Sequence, residues 1–175
     1  VSSKKNGSST TWCLNNHDQM RPATKFGLLP TVDRVRWRNS NGTSSPLDVK
    51  LGTQSAIAAS MLIMALPGCT YIYQGEELGL HEVTDIPEDQ IQDPQYLRNL
   101  KVDKGRDGCR VPLPWKSEPT GGFGFSTNEM LELDQAWLPM SPWMGNFSPE
   151  LQDGVAGSTL TMYRQALALR KLEEG

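Results

Sequence analysis

The chain has 175 residues, of which 37% are hydrophobic, and a formal net charge of −3. This length and composition predict one globular domain with a buried core, and the slightly acidic balance excludes the basic surface typical of proteins that bind nucleic acid. The longest apolar run, residues 57–66, is too short to cross a bilayer, so no membrane partner is expected.

The three cysteines, Cys13, Cys69 and Cys109, are widely spaced and odd in number. They form neither a disulfide framework nor a zinc-binding pattern, so we expect reduced thiols and no metal site. No motif for a cofactor is present, and none is expected. Residues 1–11 are polar and lack the apolar stretch of a signal peptide. Together these features predict a cytoplasmic protein.

The first predicted element is a short buried strand. Residues 10–14 are apolar and β-prone, and the run breaks into the polar cluster Asn15-Asn-His-Asp18. A buried strand with polar residues at its carboxyl end explains this pattern. Residues 21–46, which hold three prolines and two glycines, are predicted to be mostly loop.

A helix is predicted next, over about residues 48–66. Its expected apolar face consists of Leu51, Ala58, Leu62 and Leu66. Pro67 and Gly68 end this helix. A second apolar strand is predicted over residues 69–73, and it too ends in a polar cluster, Gln74-Gly-Glu-Glu77.

Residues 78–157 form a long irregular segment rich in proline, glycine and aromatic residues. Connections of this length in compact domains are usually functional or disordered, and the aromatic side chains argue against disorder. We expect Trp115 and Trp137 to pack within this segment. An amphipathic helix is predicted after it, with the apolar residues Leu160, Tyr163, Leu167 and Leu169.

This order of elements gives two β/α units with short helix-to-strand turns and long strand-to-helix loops. In (β/α)₈ barrels such loops build the active site at the carboxyl ends of the strands. A doubly wound sheet also fits the order. No Gly-x-Gly-x-x-Gly follows either strand, which argues against a Rossmann-type cofactor site. Two units close neither architecture, so the sequence predicts part of a larger α/β fold.

Three motifs in order resemble the α-amylase family of glycoside hydrolases, in its α-glucosidase and oligo-1,6-glucosidase branch. Residues 12–21 resemble the motif at the end of barrel strand seven, residues 67–79 the strand-eight segment, and residues 105–115 the loop that follows it. The resemblance implies that residues 1–175 are the carboxy-terminal part of a catalytic (β/α)₈ TIM barrel, from about strand seven to helix eight, with a long strand-eight loop.

The resemblance also implies a sugar site. Asp18 corresponds to the third catalytic carboxylate, which binds hydroxyls of the sugar and stabilises the oxocarbenium-like transition state. His17 is its neighbour on the same sugar, and Arg110, together with Arg106, is expected to reach the non-reducing end of that sugar. Asp107 is expected to order the loop without contacting sugar.

The implied activity is hydrolysis, with retention, of terminal α-linked glucose in small oligosaccharides. In the family the nucleophile and the acid/base lie on strands four and five, which this sequence lacks. We therefore expect the chain alone to be inactive and to need the remainder of the barrel, in cis or as a complementary fragment. A transglucosidase or isomerase, such as a trehalose synthase or sucrose isomerase, stays open. So does a non-catalytic relative, such as an amino-acid transporter heavy subunit, although the intact Asn16-His17-Asp18 with Arg110 argues against it.

Several other polar residues are expected to have no catalytic role. Glu76 and Glu77 are adjacent, so both cannot face one substrate from a strand, and we interpret them as structural. His81 has no evident partner and receives no role. A set of acidic residues is interpreted as a solvated loop instead of a calcium site, because it lacks the EF-hand arrangement: Glu82, Asp85, Glu88, Asp89 and Asp93.

Overall fold

The computed structural model describes residues 9–173. Its sheet consists of two parallel strands, β1 (Thr11–Cys13) and β2 (Cys69–Tyr71), paired with Thr11 opposite Cys69 and Cys13 opposite Tyr71. Both strands were predicted, but the expectation that the first one is buried is wrong, since Thr11 and Cys13 are exposed and Trp12 is half-buried. A parallel strand is buried only when helices and neighbouring strands cover it on both sides, and within residues 9–173 each strand has one neighbour.

The segment predicted to be mostly loop contains two short helices, α1 (Pro22–Gly27) and α2 (Arg34–Asn39), and that prediction is wrong for these residues. Pro22 lies in the first turn of α1, where its fixed φ suits a helix and its missing N–H is not needed. Asp33 caps α2 by accepting hydrogen bonds from the backbone amides of Val35 and Arg36.

The predicted central helix is present as α3 (Val49–Ala65), capped by Asp48, but it buries a different face from the one expected. Its buried residues are Gly52, Ala56, Ser60, Ile63 and Met64. Leu51, Ala58 and Leu62 are exposed instead, and Leu66 is half-buried. The small residues face α1 because the two backbones approach closely there: a Cβ atom on Gly52 would lie 2.0 Å from the carbonyl oxygen of Ala23.

The long irregular segment is ordered around an apolar cluster and contains only short elements. The helices are α4 (Pro94–Arg98), α5 (Thr120–Gly124) and α6 (Pro149–Gln152), and the 3₁₀ turns are Glu88–Gln90, Asp107–Cys109 and Pro142–Phe147. The buried cluster consists of Val83, Ile86, Val111, Phe123, Leu138, Met140 and Met144. Trp115 and Trp137 were expected to pack here, and this is wrong, because their exposed fractions are 53% and 72%.

The last predicted helix is α7 (Thr159–Glu173), which packs against α3. Leu160 and Tyr163 are buried as predicted, whereas Leu167 and Leu169 are exposed. The hydroxyl of Tyr163 hydrogen-bonds Ser60 of α3 and lies 3.4 Å from Glu76 Oε1, so a buried polar contact joins both helices to the turn that follows β2. No helix within residues 9–173 is long and apolar enough to cross a membrane.

Candidate active site

The turn after β1 presents His17 and Asp18 to solvent. The amide of Asp18 donates a 2.8 Å hydrogen bond to Asn16 Oδ1, and the amide of Gln19 donates one of 3.2 Å to the Asn16 carbonyl. These bonds hold the backbone of the turn, while the side chains of His17 and Asp18 keep exposed fractions of 68% and 44%. The sequence therefore places a carboxylate and an imidazole, open to a ligand, at the carboxyl edge of the sheet.

Two arginines from the loop after β2 reach the Asp18 carboxylate. Arg106 Nη1 lies 2.9 Å from Asp18 Oδ1, and Arg110 Nη2 lies 2.8 Å from the same oxygen. Arg110 Nε also donates to the carbonyl oxygen of His17, at 2.8 Å, and His17 Nε2 lies 3.5 Å from Asp18 Oδ1. The four candidate residues named from the sequence thus lie together, and the two arginines, which were expected to reach the sugar, contact Asp18.

The charges around Asp18 favour its ionised form. Desolvation acts to raise the pKa of this carboxyl, but the hydrogen bond from Arg110 and the electrostatic interactions with His17, Arg106 and Arg110 outweigh it, so the pKa lies below its usual value. Within residues 9–173 no donor is hydrogen-bonded to Asp18 Oδ2. The carboxylate therefore keeps one oxygen available to accept a hydrogen bond.

A buried layer beneath the site connects its elements. Arg21 is 1% exposed, and its guanidinium donates to the carbonyl oxygens of Gln74, at 3.0 Å, and Cys109, at 2.9 Å. The Arg21 amide donates to Glu82 Oε2 at 3.0 Å, and the hydroxyl of Tyr73 donates to the Cys109 carbonyl at 3.0 Å. The ends of both strands and the arginine loop are held together by these bonds.

Two of the residues interpreted as a solvated acidic loop are buried, and for them that interpretation is wrong. Asp93 is 2% exposed and binds the guanidinium of Arg106, and Glu82 is 4% exposed. Burial raises the pKa of Glu82 to about 7. The hydrogen bond from Arg106 outweighs desolvation and holds the pKa of Asp93 well below its usual range. A buried carboxylate needs a donor brought in by the fold, here from a residue distant in sequence, and composition alone cannot reveal it.

The remaining polar residues discussed above contact the protein itself. Asp107 orders the loop as predicted, since its Oδ2 accepts from the amides of Gln92, at 2.6 Å, and Asp93, at 2.9 Å. Glu76 and Glu77 likewise accept hydrogen bonds from backbone amides of their own turn. His81 is buried against two aromatic rings, and burial lowers its pKa to about 4. No group of three or more His, Cys, Asp or Glu side chains in the described part of the chain could hold a metal ion.

The family model described as "Alpha amylase, catalytic domain" matches residues 1–175 of the chain. The chain belongs to the alpha-amylase family. A probable alpha-glucosidase of Rhizobium meliloti (strain 1021) is 34% identical to this chain over 160 residues, which cover 91% of this chain and 24% of that protein. The oligo-1,6-glucosidase of Parageobacillus thermoglucosidasius is 28% identical over 177 residues, covering 90% of this chain and 26% of that protein.

Solved structures of the alpha-amylase family match the same chain. The alpha-glucosyl transfer enzyme XgtA has a TM-score of 0.68 and 30% identity, covering 94% of this chain and 25% of its own. The trehalose-6-phosphate hydrolase of Bacillus licheniformis has a TM-score of 0.65 and 25% identity, covering 96% of this chain and 28% of its own. The chain thus spans about a quarter of the length of the relatives it matches, and its two β/α units are part of a TIM barrel.

Proposed function

We propose that residues 1–175 form the carboxy-terminal part of the catalytic barrel of an α-glucosidase, from about strand seven to helix eight. The parent enzyme hydrolyses terminal α-linked glucose of small oligosaccharides with retention. The single observation that carries this proposal is the contact of Arg106 and Arg110 with Asp18 at the carboxyl edge of the parallel strands. Active sites of TIM barrels lie at that edge, and relatives of this chain are named as α-glucosidases and oligo-1,6-glucosidases.

Each residue has a role in this proposal. Asp18 accepts hydrogen bonds from hydroxyls of the sugar being cleaved, and its open Oδ2 is suited to do so. These bonds tighten as the sugar approaches an oxocarbenium-like transition state, which makes Asp18 a transition-state stabiliser. His17 donates to the same sugar, and Arg110 and Arg106 close the pocket at its non-reducing end.

The chemistry needs two further carboxyl groups from the rest of the barrel. A retaining glycosidase uses a nucleophile and an acid/base about 5–5.5 Å apart. Asp93, which shares the two arginines with Asp18, is suited to neither role, because it is buried and bound by Arg106. The remaining part of the barrel, in cis or as a complementary fragment, therefore completes the enzyme.

A glucosyl-transferring enzyme is a second candidate, favoured by one observation. The solved structure of XgtA, named as an alpha-glucosyl transfer enzyme, is 30% identical to this chain. Transfer and hydrolysis share the same first half-reaction, and they differ in whether water or a second sugar accepts the glucosyl group. Analysis of the products therefore distinguishes the two candidates.

The test uses the full-length protein that carries this chain, with isomaltose, maltose and a maltooligosaccharide blocked at its non-reducing end. The proposal predicts glucose released from the unblocked sugars as the α-anomer, observed by proton NMR before mutarotation. Cleavage of the blocked oligosaccharide, or β-glucose as the first product, would contradict it. New disaccharides that accumulate in place of free glucose would favour the transferring enzyme.

A further inference from the structure

Asp93 is a buried carboxylate whose two oxygens are both occupied. Oδ1 accepts from the amide of Gln95, at 3.0 Å, and from Arg106 Nη2, at 2.8 Å. Oδ2 accepts from the amide of Arg106, at 2.8 Å, and from Arg106 Nε, at 2.7 Å. The side chain of Asp93 has an exposed fraction of 0%. It therefore binds both the backbone and the guanidinium of one residue, and it does so out of contact with solvent.

The position of Asp93 determines which way Arg106 points. Asp93 binds the guanidinium along the edge formed by Nε and Nη2, and the remaining nitrogen, Nη1, contacts Asp18 at 2.9 Å. A guanidinium is planar and rigid, so anchoring one edge fixes the direction of the other donors. Arg110 lies between the same two carboxylates, with Nη1 3.8 Å from Asp93 Oδ2 and Nη2 2.8 Å from Asp18 Oδ1.

The backbone around Asp93 leaves room for this contact. Gly105 has a φ of +83°, and a Cβ atom there would lie 2.7 Å from Asp93 Oδ2, so a larger residue would displace the carboxylate. Asp107 in turn holds the amides of Gln92 and Asp93. The segments around residues 93 and 106 thus fix each other through two carboxylates, and Arg106 extends from this braced region to the exposed Asp18.

We propose that Asp93 is a positioning residue, which holds Arg106, and with it Arg110, in the orientation that contacts Asp18. This inference rests on the proposed function, in which Asp18 binds the sugar. A site that stabilises a transition state needs its charged groups fixed before the substrate arrives, by partners that do not touch the substrate themselves. Asp93 meets this need because it is buried and fully hydrogen-bonded, whereas Asp18 is exposed and retains an unoccupied oxygen.

The test compares four variants of the full-length protein by kcat and KM on p-nitrophenyl α-glucoside: Asp93→Asn, Arg106→Gln, the double variant, and Asp103→Asn. Asp103 is the matched control, since it lies in the same loop and binds Arg38 with both oxygens, at 2.9 and 3.0 Å. Asp93→Asn is expected to lower kcat/KM about a hundredfold, the size of loss that a misplacement of about 1 Å can cause. The double variant is expected to be no slower than Arg106→Gln, and Asp103→Asn is expected to match the unsubstituted protein.

Independent losses that multiply in the double variant would overturn the inference, because Asp93 would then act without Arg106. Equal losses in Asp93→Asn and Asp103→Asn would also overturn it, as a general effect of a damaged loop. If Asp93→Asn does not fold, Arg106→Lys is measured in its place. A lysine keeps the positive charge but lacks the planar guanidinium that binds two carboxylates, so a similar fall in kcat/KM is expected. Normal activity of Arg106→Lys would overturn the inference. Asp18→Asn, run in parallel, separates the two proposals. If its kcat falls while Asp93→Asn stays normal, only the inference fails, and if its kcat is normal, the proposed function fails first.

Discussion

Replacing Gly52 by alanine sets two opposing effects against each other in α3. Alanine is favoured over glycine inside a helix by about 1 kcal/mol. However, the new Cβ would lie 2.0 Å from the carbonyl oxygen of Ala23 and 2.9 Å from the amide nitrogen of Gly27. Both are backbone atoms of α1, so the helices must separate by on the order of 1 Å, and forcing extra atoms into a packed contact costs about 1–3 kcal/mol or occasionally more. Because the clash is with backbone that has no rotamer to change, the cost should lie at the upper end of this range, about 3 kcal/mol, which leaves a net loss of about 2 kcal/mol.

The assay is urea unfolding of the full-length protein, followed by circular dichroism, with unchanged slope as the condition for comparing midpoints. Ala58→Gly is the matched control, because Ala58 lies in the same helix and is exposed. It is expected to lose about 1 kcal/mol from helix propensity alone. A Gly52→Ala variant with a higher midpoint than the unsubstituted protein would refute the close packing of α1 on α3.

Two further predictions concern activity and acid stability. The purified 175-residue chain alone is expected to release no p-nitrophenol from p-nitrophenyl α-glucoside; turnover that disappears in Asp18→Ala would show that the chain carries its own nucleophile and acid/base. The lowered pKa of Asp93 stabilises the folded state above the ordinary carboxyl pKa near 3.8, and this contribution is lost as the pH falls further. The urea midpoint should therefore fall less in Asp93→Asn than in the unsubstituted protein when the pH is lowered from 5 to 3, roughly the window in which an ordinary carboxyl titrates. If the midpoints of the two proteins fall by the same amount, the pKa of Asp93 is not lowered in the folded state.

The sequence predicted the elements that depend on local pattern and missed those that depend on contact. The apolar runs located both strands, and the Pro67-Gly68 pair located the end of α3. The buried face of α3 was wrong because hydrophobicity selects Leu51 and Leu62, whereas close packing of two backbones selects residues without bulk, such as Gly52. A hydrophobic pattern measures the tendency of a side chain to leave water, and it contains no information on how closely two helices approach.

In the candidate site, too, the sequence indicated the residues within local motifs and missed the one that depends on contacts in the folded chain. His17, Asp18 and the two arginines were named from the sequence because they lie within motifs that resemble those of the α-amylase family, and the fold brings them together. Asp93 lies 13 residues before Arg106 in an acidic loop, and nothing in that spacing distinguishes it from a solvated carboxylate. Its role depends on the positive φ of Gly105 and on the guanidinium direction, both of which are properties of the folded chain.

Asp18 is proposed to bind the transition state more strongly than the substrate, and the decisive experiment is the steady-state kinetics of Asp18→Asn in the full-length protein. Asp153→Asn is the matched control, since Asp153 pairs with Arg164 on an exposed surface. Only an interaction that strengthens in the transition state accelerates the chemical step. We expect kcat to fall about 10²–10³-fold with KM little changed, comparable to the loss of one preorganised charge-stabilising contact. A near-normal kcat accompanied by a raised KM would contradict it.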